Sequence, residues 1–188
     1  MRRVVFVGEA PGRNTDPSDP LNPGTASGQR LLKLTNRPAE EFTSFRRVNL
    51  LPAYPGEGWD GGRARRTALK LMPSLHGCNI ILLGRAVEGA FAPQLAKSAG
   101  FQAAARGKLA LVSAHLHAAA DAMFLMIPHP SGKSQPYNDE GVRSLTAACL
   151  HALLADDREQ LFRVLRTVSL AMRPERPKPS GHRSSPTP

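Results

Sequence analysis

Cysteine is nearly absent from this 188-residue chain: Cys78 and Cys149 are the only two, far apart and in no Cys-x-x-Cys pair. A zinc site or an iron-sulfur cluster built from cysteine is therefore excluded, and two buried, reduced thiols are expected. No metal and no cofactor are called for. Long apolar runs are also missing. Met1 to Phe6 passes from two arginines straight into a strand-like stretch, with no segment of the kind a signal peptide or membrane span requires. The expectation is a cytoplasmic protein with no membrane partner. Acidic residues are scarce, 15 against 25 lysines and arginines, for a formal net charge of +10. Such an excess suits a polyanionic partner such as nucleic acid, and it is equally compatible with a solvated basic face, because net charge bears on association and not on fold. The length fits one domain with its own core, here expected to be a monomer.

The apolar, β-branched stretch Arg3 to Val7 reads as a buried first strand that stops at Gly8. Glu9 to Gly28 is irregular, a length of loop that usually carries function. Ser27 is placed to cap a helix with Leu31, Leu32 and Leu34 on its apolar face, ending before Pro38. Arg47 to Leu51 reads as a second strand, and Pro52 to Gly62 as a loop holding Tyr54 and Trp59. A basic helix, Arg63 to Leu71, follows, then a strand at Asn79 to Leu83, Gly84, and a helix from Arg85 to Leu95. Gly100 to Ala122 is alanine-rich and shows little periodicity, with Lys108 to Ser113 as a strand or hairpin arm. Met123 to Ile127 reads as the last strand, Asp139 to Leu154 as a helix, and Asp156 to Met172 as a further amphipathic helix. The domain is thus expected to span 1–172. The proline-, serine- and base-rich remainder, 173–188, is expected to be disordered. Strands alternating with helices predict a mostly parallel sheet covered on both faces, with the ligand site at the carboxyl ends of the strands. The loops after Val7, Leu51 and Ile127 are the places to look.

The first of these loops opens Gly8-Glu9-Ala10-Pro11-Gly12, which puts a carboxylate and several backbone amides at a strand end. Taken alone it reads as a ligand loop or as a tight turn with an exposed glutamate. The last strand runs into Pro128-His129-Pro130-Ser131-Gly132, a histidine held between two prolines. So held, it can donate a hydrogen bond to a carbonyl oxygen that gains negative charge, or merely cap the strand end.

Together these two segments resemble the signature motifs of the uracil-DNA glycosylase superfamily, whose iron-sulfur branch opens its first motif with G-E-x-P-G and its second with H-P. The resemblance continues in Ser27-Gly28-Gln29-Arg30-Leu31-Leu32, similar to that branch's A-G-Q-L-L, in Val48-Asn49-Leu50-Leu51-Pro52, similar to N-V-V, and in Ile81-Leu82-Leu83-Gly84-Arg85. It covers about Val4 to Leu154. It implies a three-layer α/β/α sandwich around a four-stranded, mostly parallel sheet, and an enzyme that hydrolyses the N-glycosidic bond of uracil, or a related deaminated base, in DNA to leave an abasic site. On this resemblance Asn49 reads the base edge and His129 steadies the leaving uracil at O2. Glu9 positions the attacking water, and the backbone of Ala10, Pro11 and Gly12 forms pocket wall. Ser131 and Gly132 approach phosphate through hydroxyl and backbone N–H, Pro130 presses on the duplex, and Lys133 lies in the same DNA-facing stretch.

Several departures stand beside these matches. The four cluster cysteines of the iron-sulfur branch are missing. Asn22, Pro23, Gly24 and Thr25 occupy the region where that branch carries a stacking aromatic, leaving Tyr54 or Phe6 as substitutes or as packing residues. Arg13 and Asn14 stand where many relatives are acidic, with Asp16 and Asp19 as alternative water-activating groups, and Lys133 and Ser134 offer no apolar wedge. Arg63, Arg65, Arg66 and Lys70 gather on one helix, where they can follow phosphates or lie on a solvated face. The alternative to an enzyme is a protein of the same fold that binds nucleic acid or a nucleotide without cutting it. A serine hydrolase using Ser131 and His129 is disfavoured, since residues two apart beside a proline rarely place a hydroxyl on its own base.

Overall fold

The computed structural model describes residues 2–56, 58–96, 98–104, 110–131 and 135–171. The tail expected over 173–188 lies outside them. Six strands form one sheet: β1 (Arg3–Gly8), β2 (Arg46–Asn49), β3 (Cys78–Leu83), β4 (Ala99–Ala104), β5 (Ala110–His117) and β6 (Ala122–Ile127), in the order β2-β1-β3-β6-β5-β4. The first four in that order pair in parallel, and β5 and β4 add an antiparallel hairpin beside β6. The expected four-stranded sheet is therefore corrected to a six-stranded one whose parallel part is the four strands legible in the sequence. One arm of the added hairpin, β5, overlaps the strand or hairpin arm expected over Lys108 to Ser113, whereas β4, with alanine or glycine at four of its six positions, carries too little hydrophobic contrast to display a period of two.

Among the described residues six α-helices cover the sheet: α1 (Ala26–Thr35), α2 (Ala39–Ser44), α3 (Gly61–Leu71), α4 (Arg85–Leu95), α5 (Glu140–Leu154) and α6 (Arg158–Ala171). Alternation along the strands assigns them to two sides. Val4, Phe6, Ile81, Leu83, Leu125 and Ile127 pack with α1, α2, α5 and α6. Val5, Val7, Ile80, Leu82, Phe124 and Met126 pack with α3 and α4. The result is a three-layer α/β/α arrangement, and both faces of the central strands are apolar because both are covered. Cys78 and Cys149 are buried and free, and burial pushes the Cys149 thiol up to about 12. Among the described residues no helix is long and apolar enough to cross a membrane.

Helix ends refine the sequence reading. Thr25, not Ser27, caps α1, its hydroxyl accepting from the Gly28 N–H at 3.1 Å. Asn36 closes the helix in the left-handed conformation, which asparagine tolerates better than most residues. The short α2 begins directly after Pro38, where no helix is expected, and is anchored by one fully buried residue, Phe42, packed on Phe6 with ring centroids 5.5 Å apart. Two turns with a single apolar anchor are too short to show a helical period. The hairpin is tied to α4 by Glu88, which accepts from the Ser113 hydroxyl and pairs with His115 Nε2 at 3.2 Å. Burial opposes ionisation there, but hydrogen bonds from His115 and Ser113 hold the Glu88 carboxyl below its usual range.

The crossovers after β1 and β3 leave on opposite faces, toward α1 and α4 respectively. This divergence between adjacent parallel strands opens a crevice at their carboxyl ends, the position where open α/β sheets bind ligands.

Candidate active site

A cleft of about 320 Å³ lies at that crevice, lined by Gly8, Glu9, Ala10, Pro11 and Gly12 after β1, by Asn49 at the end of β2, and by His129 and Ser131 after β6. Its outer wall is the long irregular loop, through Thr15, Asp19, Pro20 and Leu21, together with the start of α1. Three strand ends and one loop thus bring Glu9, Asn49 and His129, separated by up to 120 positions in the chain, to one concavity. The volume lies at the small end of the range for small-molecule sites.

Glycine makes the convergence possible. Gly8 pairs with Asn49 across β1 and β2, and a Cβ on Gly8 would lie 2.5 Å from Asn49 Oδ1. The bare backbone therefore leaves room for the amide to fold over it. Gly84, with φ +98°, ends β3 beneath the other two groups. A Cβ there would sit 3.2 Å from His129 Cβ and 3.4 Å from Glu9 Oε1, so Glu9 and His129 share one glycine floor.

The His129 segment is held from three sides. Tyr137 donates its hydroxyl proton to the Pro128 carbonyl at 2.7 Å. Arg30, on α1, donates to the Ser131 carbonyl at 2.6 Å while its guanidinium lies 5.6 Å from the Tyr137 ring centroid. The Ser131 backbone N–H donates to His129 Nδ1 at 3.1 Å. With Nδ1 serving as acceptor, the neutral ring must carry its proton on Nε2. Burial lowers the His129 pKa below the ordinary histidine range, against the opposing pull of the Glu9 carboxylate, so the ring is a neutral donor at physiological pH.

The loop wall is knitted by its own polar groups. Asn22 Oδ1 accepts from the Gly24 N–H at 2.6 Å, the Asn22 carbonyl accepts from Thr25, and Asn22 Nδ2 donates to Asp19. Asp19 also forms an ion pair with Arg47 at 3.0 Å, the arginine side chain being only 12 % exposed. Gly28 is the closest junction between wall and helix, since a Cβ there would fall 2.0 Å from the Asn22 carbonyl oxygen. Gly28→Ala should accordingly push the loop off α1, with a stability loss of about 1–3 kcal/mol, the usual cost of overpacking. Thermal unfolding and ligand binding of the purified variant check this, and a variant as stable as the parent contradicts it.

Of the residues expected to form the site, Glu9, Ala10, Pro11, Gly12, Asn49, His129 and Ser131 line the cleft. Gly132 and Lys133 lie outside the described residues, as does Ser134. One expected role is corrected. Pro130 is buried and is not part of the cleft lining, which removes it from a surface that presses on a duplex. Ser131 has its backbone N–H committed to His129, leaving only its hydroxyl for a phosphate. The substitute aromatics do not reach the cleft either: Phe6 is fully buried between Phe42 and Phe45, and Tyr54 is exposed and outside the lining. Asp16 is engaged by the Ser18 N–H and hydroxyl, and Asp19 by Arg47 and Asn22, so among the described residues Glu9 is the carboxylate of the lining with no ion-pair partner.

No sequence pattern marks Leu21, which lines the cleft, or Arg30 and Tyr137, which hold the His129 segment. Leu21, at φ +59°, carries the largest apolar side chain of the lining and also packs on the core. A branched residue in that conformation is strained and must be held by its surroundings, a feature invisible in a one-dimensional pattern. Among the described residues no group of three or more His, Cys, Asp or Glu side chains is placed to hold a metal ion. No protein-family model matches the chain, and no curated protein matches it significantly.

Proposed function

We propose that this protein is a monofunctional DNA glycosylase of the uracil-DNA glycosylase type, which hydrolyses the N-glycosidic bond of uracil or a related deaminated base. The observation that carries the reading is the meeting of Glu9, Asn49 and His129, from three different strand ends, in one cleft. Its dimensions suit a single base taken out of the stack, as chemistry on a nucleobase requires. The Asn49 amide offers one donor and one acceptor to the N–H and C=O of a pyrimidine edge. Glu9 orients a water toward C1′ of the sugar. As the N1–C1′ bond breaks, its electron pair moves into the base, where the growing charge on O2 is met by the proton on His129 Nε2. The water oxygen becomes the C1′ hydroxyl of the abasic site, and its proton passes to Glu9 and on to solvent. A preorganised donor of this kind acts on charge that exists only in the transition state.

The purified protein should release uracil from an end-labelled oligonucleotide, seen as strand scission at the abasic site after alkali. Failure to act on uracil, hypoxanthine and mismatched thymine alike would sink the enzymatic reading. A second reading, binding of a nucleotide or nucleic acid without cutting, is favoured by one observation: among the described residues no phenylalanine, tyrosine or tryptophan lines the cleft. Under that reading uracil-containing DNA is bound without turnover and the affinity is indifferent to His129→Ala.

A further inference from the structure

A second concavity, of about 640 Å³, borders the first and shares Asn49 with it. Its floor is Leu50 and Pro52 beyond β2, and its far wall is the stripe Arg63, Arg66 and Lys70 of α3. The spacing of three and four residues puts these cations on one face of the helix, while Ala64 and Ala68 of the opposite face are fully buried against the sheet, which fixes the stripe outward. All three cationic residues are exposed, and none of them forms an ion pair among the described residues. Asp60, the one acid among the described residues of the lining, is turned to the helix itself, its carboxylate accepting from the Arg63 N–H at 2.8 Å as the N-cap of α3. Arg65, although exposed on the same helix, is not part of the wall.

We infer that this groove is the track of the DNA strand that carries the target base, with Arg63, Arg66 and Lys70 each meeting a backbone phosphate next to the nucleotide seated at Asn49. The inference rests on the glycosylase reading and adds the path of the strand to it. From Arg63 to Lys70 the helix rises about 10 Å, which matches about three phosphates on one strand of a duplex. Cations without an ion-pair partner among the described residues give up none of those contacts when a phosphate enters, and each phosphate contact releases counterions from the nucleic acid. The shared Asn49 makes the groove continuous with the base cleft, so one strand can run along α3 and turn its base inward.

The test is binding, by fluorescence anisotropy, of a labelled duplex containing only ordinary bases, titrated at several salt concentrations. The triple variant R63Q/R66Q/K70Q should lower the slope of log affinity against log salt by about 2–3 and weaken binding ~10²-fold at low salt. R65Q on its own should shift the slope by less than the loss of one contact, ~0.9. All four positions are exposed, and circular dichroism verifies that each variant is folded. A triple variant with the parental slope overturns the inference, as does an R65Q effect equal to those of R63Q, R66Q and K70Q made singly, which marks diffuse attraction to a charged helix. Because this duplex holds no scissile base, an unaltered protein that never releases uracil refutes the glycosylase reading while leaving the groove assignment standing.

Discussion

Asn49→Ala should lower uracil release ~10²- to 10³-fold, the consequence of losing two hydrogen bonds to a base edge that is desolvated when it enters the cleft. The side chain sits at the very end of β2, half-buried in the lining, with neither its donor nor its acceptor bonded to protein among the described residues. Its orientation is set by the absence of a side chain opposite, which makes a sharper experiment possible. Gly8→Ala adds one methyl group 2.5 Å from Asn49 Oδ1, at a glycine whose backbone is not in the left-handed region. Because the atom in the way is the end of a movable side chain, the fold can accommodate the methyl by turning the amide aside. Thermal stability should therefore stay close to the parent while activity falls ~10²-fold, the order expected when a recognition group is misplaced by about an ångström. In the Asn49→Ala background the same Gly8→Ala change should cost little more, since the two act through one side chain. Additive losses would instead mean that Gly8 serves the cleft on its own account.

The same positions show what a sequence can and cannot disclose about such a site. Glu9 and His129 were legible because each follows an apolar run that ends in a change of residue type, Val7 into Gly8-Glu9 and Ile127 into Pro128-His129, whereas Asn49 sits inside the stretch Arg47 to Leu51 and is marked only by the resemblance. A buried parallel strand advertises itself by continuous hydrophobicity, so its carboxyl end is easy to place even when its neighbours in the sheet are not. What held these groups in position was harder to see. Arg30 clamps the Ser131 carbonyl across about 100 positions of chain, and Tyr137 reaches the Pro128 carbonyl from beyond the last strand. Neither belongs to a local pattern, because a long-range hydrogen bond leaves no periodic trace. The wall of the cleft was opaque for another reason. The chain over Thr15 to Thr25 is ordered by short side-chain to backbone bonds of aspartate, asparagine and threonine, and these residues look alike in a turn, in a cap and in an unstructured loop. Of the hairpin, β5 was partly legible as the arm over Lys108 to Ser113, and only β4 disappeared into alanine and glycine, whose small side chains mark neither face of a strand.

His129 carries the second large effect. His129→Ala should lower kcat ~10²- to 10³-fold with little change in KM, the pattern of a donor whose partner gains charge only as the bond breaks. His129→Gln should recover part of that loss, because a side-chain amide can still present an N–H toward the base. The ring also fixes an acid limit. With Nδ1 accepting from Ser131, protonation would place a second donor against that N–H and break the contact that orients the ring. The His129 pKa is lowered in the fold by burial, the Glu9 carboxylate opposing, so below the unperturbed value of about 6.5 the unfolded chain binds a proton that the folded protein refuses. The stability contributed by the neutral ring is therefore complete above pH ~6.5 and declines as pH falls toward the folded-state pKa. Thermal midpoints measured from pH 8 to pH 5 should show this decline in the parent and a shallower one in His129→Gln, which has nothing to protonate at that position. Equal acid sensitivity in the two proteins would separate His129 from the acid limit and trace it to the carboxylates, and an unchanged kcat in His129→Ala would remove the histidine from the chemistry altogether.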